Sequence, residues 1–147
     1  MSISSLPQAT PLQLLNNQME AHPFCFVCSS SNPMGLALHY EAQPDGSICA
    51  RFLGHSALEG YTGLLHGGLI AALLDGAMTH CLFARGLRAL TAELNVRYHQ
   101  PVSASEEMQI QAQLDQAAHG LFELQAELTQ AGSVKASANG KFMQTHE

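Results

Sequence analysis

Apolar and polar residues recur along this chain with two different periods, and the change of period separates its elements. Leu36, Leu38, Tyr40 and Ala42 alternate with Ala37, His39 and Glu41, which predicts a strand with one buried face. Asp45-Gly46 has the residues of a tight hairpin turn, and Ile48, Ala50 and Phe52 continue the alternation on the return strand. Four more alternating runs follow. Ala92, Leu94, Val96 and Tyr98 form an apolar face opposite Thr91, Glu93, Asn95 and Arg97, and Pro101 ends that strand. Met108, Ile110, Ala112 and Leu114 make the next, then Phe122, Leu124, Ala126 and Leu128 after a turn at His119-Gly120, then Val134, Ala136, Ala138 and Phe142. Upstream, Leu12, Leu14, Leu15 and Met19 predict a short amphipathic helix after Pro11. Asn32-Pro33-Met34-Gly35 predicts a β-turn.

Between the second and third strands the alternation stops. From Leu69 to Leu74 and from Ala77 to Ala84 nearly every residue is Leu, Ile, Ala, Met, Phe or Cys. The stretch predicts a helix that is apolar on every side, buried at the centre of the domain and ended near Arg85-Gly86. Asp75 and His80 interrupt it, and no apolar window reaches the roughly 20 residues that a bilayer requires. A loop from Gly54 to Leu65, carrying Gly60 and Gly63, leads into the helix. Only a strongly curved antiparallel sheet covers a helix that is apolar all round. The predicted fold is therefore α+β: about six strands wrapped around one long central helix, the hotdog architecture, with a short helix before it. The expected organisation is an N-terminal helix and leader over residues 1–35, then a single domain over 36–147. No repeat, linker or low-complexity tract is visible.

Composition adds a hint of self-association. Hydrophobic residues make up 46% of the 147 and charged residues only 12%, a balance that favours burying more surface between copies. A net charge of -6 argues against a nucleic-acid partner, which selects a basic face. The stretch from Met1 to Pro11 lacks the basic and apolar regions of a secretory signal. Four cysteines in that context read as reduced thiols, so a cytoplasmic protein is expected.

The helix entrance, His66-Gly67-Gly68, offers a first chemical site. The opening N–H groups of a helix have no internal acceptor and carry the positive end of its dipole. Glycines at 67 and 68 let a ligand oxygen approach the backbone closely. A bare Gly-Gly is more often only a tight turn, but an acid on the same helix shifts the balance. Asp75 is that acid, either a general base or a structural Asp bonded to Thr79 one turn on. Gly76 weakens the helix by about 1 kcal/mol against Ala, so something is expected to pack closely there. Gly67 and Asp75 are about 12 Å apart along a helix rising 1.5 Å per residue. If both serve one reaction, the Asp of one copy meets the Gly of a second across antiparallel helices, and the site lies at a dimer interface.

The string from Glu59 to Met78, EGYTGLLHGGLIAALLDGAM, together with the strand from Thr91 to Tyr98 and the leader CFVCSSSNPMGL, resembles the hotdog-fold acyl-CoA thioesterases of the phenylacetate-pathway (PaaI-like) branch. The likeness covers nearly all of the chain after Cys25. It implies that Asp75 is the base or nucleophile, that the Gly67 N–H donates to the thioester carbonyl, and that His66 fixes the loop or substrate. Gly68, Thr79, Thr91 and Gly60 match substrate-binding positions. Relatives often carry Asn or Gln where Gly60 stands, a departure that affects how water is positioned. The resemblance also implies an acyl-CoA substrate, no cofactor, and a homodimer, often paired into a tetramer. Arg85, Arg88, Arg97, Lys135 and Lys141 are candidates for the CoA phosphates.

Cys25 and Cys28 form a CxxC. With His22, His39 or Cys49 a zinc site is conceivable, but a second ligand pair at the usual spacing is missing. They are expected to be packing groups, with no metal bound. His39, His55, His99, His119 and His146 are expected at the surface. Two rival functions share the fold. A hydratase or dehydratase wants a His-Phe-Pro-like segment before the helix, which Gly54-His55-Ser56 does not supply. A non-catalytic acyl-CoA sensor would not need the acid at position 75.

Overall fold

A computed structural model describes residues 3–145. The first helix, α1 (Pro11–Ala21), begins where the Thr10 hydroxyl accepts the Gln13 N–H and Pro11 occupies the first turn. Of its residues only Leu14 and Asn17 are buried; Leu12, Leu15 and Met19 are exposed, so its apolar contact is narrower than expected. Polar bonds complete the docking. The Asn17 amide donates to the Phe83 carbonyl at 3.2 Å and accepts from Arg88 Nε at 2.9 Å.

The 32–35 turn forms, closed by Gly35 N–H on the Asn32 carbonyl at 3.0 Å. The strand expected over 36–42 shrinks to β1 (Glu41–Ala42). Burial does alternate through it, with Leu38 and Tyr40 inside and Ala37 and His39 outside. However, Ala37 has φ 49, and Leu36 and Leu38 bond to the carbonyls of Phe26 and Val27 instead of to the sheet. The alternation reported burial, not strand pairing.

The remaining elements are β2 (Ile48–Leu53), α2 (Gly67–Phe83), β3 (Ala89–Tyr98), β4 (Glu107–Ala118), β5 (Leu121–Gln130) and β6 (Ser133–Gln144). The strands make one six-stranded sheet in the order β1-β2-β4-β5-β6-β3, with every neighbouring pair antiparallel. Register aligns Ile110 with Leu128 and Leu128 with Ala136, so the apolar faces fall in one row. α2 packs against β2 to β6, and Leu73, Leu74, Ala77, Met78 and Cys81 are fully buried. A sheet rolled around one helix is the predicted architecture. Leu14, Val27 and Cys28 of the leader join the same core. Gly86, at φ 76, ends α2: its N–H bonds to the Phe83 carbonyl and that of Leu87 to the Leu82 carbonyl. Among the described residues no helix is long and apolar enough to cross a membrane.

Two strands depart from the simple alternation. A bulge between Leu114 and Gln116 switches the buried face of β4 from even to odd positions, which is why Ala117 is buried. The expected apolar face of β3 is not buried in the single chain. Ala92 and Tyr98 are exposed and Leu94 and Val96 half-buried, because β3 forms the sheet's edge with β6 on one side only.

Candidate active site

α2 starts beneath a histidine cap. His66 is in extended conformation (φ -61, ψ 134), and its Nδ1 accepts the Gly68 N–H at 2.9 Å. A Cβ on Gly68 would lie 3.1 Å from that ring, so the second glycine makes room for the cap. The His66 carbonyl takes the N–H groups of Leu69 and Ile70. The Gly67 N–H is therefore the first-turn donor left for another acceptor. The Gly67 carbonyl accepts the Tyr98 hydroxyl at 2.7 Å, which ties the edge strand to the helix entrance. A cleft of about 620 Å³ opens here, lined by Gly60, Tyr61, His66, Gly67, Tyr98 and Val102 among others. Its loop is braced by the Glu59 carboxylate, which accepts the Gly63 N–H at 2.9 Å.

Asp75 lies two turns further along. It is half-buried, and its Oδ1 accepts the Thr91 hydroxyl at 2.7 Å. Burial raises its pKa above the ordinary carboxylate value, while the Thr91 bond and the charge of His22 pull it partly back. Thr79 does not bond the carboxylate: its hydroxyl donates to the Asp75 backbone carbonyl at 3.0 Å and is buried. The side-chain bond that would have made Asp75 purely structural is not formed. The close packing expected at Gly76 is present. A Cβ there would fall 2.6 Å from the Tyr40 hydroxyl oxygen, which donates to the Leu73 carbonyl at 2.8 Å.

Within one chain these residues make two groups. Gly60, His66 and Gly67 share the cleft; Gly68, Asp75, Thr91 and Thr79 do not line it. α2 is also less completely buried than its composition suggests. Gly68, Ala71, Ala72 and Asp75 remain open or half-buried and, spaced three and four apart, share one face. That open stripe joins the helix entrance to the carboxylate.

Sequence reasoning missed two neighbours. Tyr98 was assigned to an apolar strand face, and nothing in the alternation marks its hydroxyl as a partner of Gly67. His22 influences the charge of Asp75 through the docking of α1 on α2, which no local pattern encodes. Among the cations, Arg88 is held by Glu20 and Asn17, Arg85 donates to the Pro7 carbonyl at 3.3 Å, and Lys141 lies 3.7 Å from Glu93. Lys135 donates to Gln100 Oε1 at 2.8 Å, and Gln100 lines the cleft. His39, His55, His99 and His119 are exposed as expected, and His146 lies outside the described residues.

A family model described as the thioesterase superfamily matches residues 62–137, a span that includes the helix entrance, Asp75 and Thr91. The acyl-coenzyme A thioesterase THEM4 of Bos taurus is 38% identical over 69 residues, 47% of this chain and 27% of that protein. The chain thus spans about a quarter of the length of that relative. The PaaI protein of E. coli, from the phenylacetic acid degradation operon, superimposes with a TM-score of 0.76 at 15% identity, over 92% of this chain and 95% of its own. A hypothetical thioesterase of Streptococcus pneumoniae, solved with coenzyme A, gives a TM-score of 0.69 at 18% identity, over 74% and 88%. At such identities the two structures speak for the fold alone. Residues 62–137 carry the assignment beyond fold: this chain belongs to the thioesterase superfamily.

Proposed function

We propose that this chain is an acyl-CoA thioesterase of the PaaI-like branch, with its active site completed by a second copy of the chain. One observation carries the reading: a half-buried carboxylate, held by Thr91, stands on the open face of the same helix whose first turn presents the Gly67 N–H. Two such helices set antiparallel bring the Gly67 of each copy beside the Asp75 of the other. The absence of Asp75 from the Gly67 cleft supports this arrangement, as does the uncovered edge strand β3. A pair of dimers is the expected assembly.

In this mechanism the thioester carbonyl oxygen accepts the Gly67 N–H, at the positive end of the helix dipole. Asp75 takes a proton from water as the water oxygen bonds to the carbonyl carbon. Collapse of the tetrahedral intermediate breaks the C–S bond, and the proton passes to the departing thiolate, giving a free acid and coenzyme A. In the alternative route Asp75 attacks first and water opens the resulting anhydride. His66 caps the helix, Thr91 orients the carboxylate, and Thr79 steadies its backbone. Gly60 and Gly68 leave space for substrate beside the His66 ring. Neither route requires a metal or cofactor. Domain 36–147 carries the chemistry, and the leader before it lends Leu14, Val27 and Cys28 to the core. The free cysteines fit a reducing, cytoplasmic setting.

The names and contents of relatives support the same class: one is an acyl-coenzyme A thioesterase, and one solved structure contains coenzyme A. The deciding experiment is a panel of aromatic, short-chain and long-chain acyl-CoA and acyl-carrier-protein thioesters, followed by free-thiol release against a blank for the protein's own cysteines. Turnover of at least one acyl-CoA above the buffer rate is expected. Tight binding without turnover across the panel would replace this reading with a sensor.

A further inference from the structure

The leader ends in a group that the thioesterase chemistry does not use. His22 terminates α1, and Cys25 and Cys28 follow in the next turns, a His-x2-Cys-x2-Cys sequence. The folded chain brings one imidazole nitrogen and both sulfurs within 4.8 Å of one another. Of the other partners conceivable from sequence, His39 is exposed beside Glu41, and the Cys49 sulfur accepts from Gln43 Nε2. The cluster is thus a defined set of three.

We propose that His22 Nδ1, Cys25 Sγ and Cys28 Sγ bind one zinc(II) ion, which clips the leader onto α2 beside Asp75. One edge of the set already has the span the ion needs. His22 Nδ1 lies 3.5 Å from Cys28 Sγ. Around a tetrahedral zinc with Zn–N near 2.05 Å and Zn–S near 2.3 Å, the corresponding N···S edge is about 3.6 Å. A second feature points the same way. The Val27 N–H donates to Cys25 Sγ at 3.3 Å, the kind of outer-shell donor that zinc-bound cysteines accept. Two sulfurs and an imidazole are a borderline-soft donor set suited to zinc, and three protein ligands leave a fourth position for water or a small ligand.

On binding, zinc displaces one proton from each thiol to solvent, and a dication with two thiolates and a neutral imidazole has no net charge. The consequence is mechanical. The His22 ring packs edge-on against Phe83 at 4.9 Å and lies 6.2 Å from His80, both on α2. Pinning His22 to the CxxC turn therefore fixes the leader against the C-terminal half of α2. Zinc is a structural clip here and takes no part in hydrolysis.

The test needs no thioester. The protein is purified under reductant, stripped with a chelator, and titrated with zinc in competition with a chromogenic chelator. Cobalt(II) is titrated in parallel. One metal per chain and a thiolate-to-cobalt charge-transfer absorption are expected. Cys28→Ser and His22→Gln should each weaken binding by at least about a hundredfold, since even outer-shell losses cost about 10- to 100-fold. Cys49→Ser should leave binding unchanged. Absence of sulfur charge transfer with cobalt, or zinc affinity no different in Cys28→Ser, overturns the proposal. If the variants do not fold, the wild-type cobalt spectrum decides, together with zinc protection of just two of the thiols from alkylation. A stripped protein whose Cys25 and Cys28 form a disulfide, and whose reduced form takes up no zinc, also overturns it.

Discussion

The Thr91 hydroxyl donates a 2.7 Å hydrogen bond to Oδ1 of Asp75, joining the edge strand β3 to the central helix at the proposed base. The bond opposes burial: burial raises the carboxyl pKa and Thr91 lowers it. Thr91→Val keeps the branched shape and removes the donor. The Asp75 pKa then rises further, and since the ionised form is the active one, the acid limb of the kcat/KM profile moves to higher pH. Each unit of movement is a tenfold loss on that limb, about 1.4 kcal/mol, with recovery on the alkaline plateau. A limb that stays in place in Thr91→Val, with activity lowered equally at every pH, shows that the titrating group is not Asp75.

Asp75→Asn separates a functional acid from a structural one. Losing a positioned general base costs about 10²- to 10⁴-fold in rate. Stability should move the other way or not at all. A carboxyl whose folded pKa lies above its unfolded value binds more protons in the folded state, so its contribution to stability declines as pH rises between those two values. At neutral pH the ionised Asp75 therefore weighs against folding, and a neutral Asn still accepts the Thr91 hydroxyl. Thermal melts at pH 7 should show an unchanged or higher Tm in a protein that has lost most turnover. A fall in Tm matching the fall in rate would make Asp75 a structural residue.

The helix and the sheet were legible because their periods are clean. Leu73, Leu74, Ala77 and Met78 read as buried from composition alone, and they are. Misreadings arose where periodicity reports something other than pairing. Residues 36–40 alternate in burial, yet they bond to Phe26 and Val27 through a chain bent at Ala37. β3 alternates, yet it is an edge strand and its apolar side is only partly covered in the single chain. The bulge at Asp115 has no hydrophobic signature, since one extra polar residue looks the same in a loop or a strand. At the site, spacing on α2 singles out Gly67 and Asp75 as candidates and the resemblance adds Thr91, while the His66 cap on the Gly68 N–H has no signal in either. Tyr98 and His22 depend on contacts between elements distant in sequence, which no local pattern carries.

His80 should make the fold acid-sensitive. It is buried, its Nδ1 donates to the Gly76 carbonyl at 2.7 Å, and its Nε2 is buried without a partner. Tyr40 at 4.4 Å, Phe83 at 5.2 Å and His22 at 6.2 Å surround the ring. Burial lowers its pKa from 6.5 to about 4; the Gly76 bond raises it slightly, and His22 and His39 lower it. The unfolded chain therefore binds the extra proton first. Stability is fully present above pH 6.5 and is lost as pH falls toward 4, a contribution of about 3 kcal/mol in total. Urea unfolding from pH 7 to 4 should show that slope in the wild type and a shallower one in His80→Gln. Parallel slopes would assign the acid sensitivity to other groups.

Two inactive variants should restore each other if the site is shared between chains. Gly67→Pro removes the proposed oxyanion donor and is compatible with the local backbone. Gly67 is not among the positive-φ residues, and His66 at ψ 134 has the extended conformation that a following proline requires. A Cβ at 67 would meet Tyr98 at 3.5 Å, an ordinary contact. Losing one such donor costs about a hundredfold to a thousandfold in rate. Gly67→Pro and Asp75→Asn homodimers should each be nearly inactive, one lacking the donor and the other the base at every site. In a mixed dimer, one site pairs the intact Gly67 of the Asn chain with the intact Asp75 of the Pro chain, and the other site carries both lesions. Differently tagged chains, co-expressed and isolated by sequential affinity steps, should recover up to half of the wild-type activity per dimer. Mixed dimers as inactive as the parents, with both variants folded by circular dichroism, would show that the two groups do not meet across an interface and remove the case for a shared site.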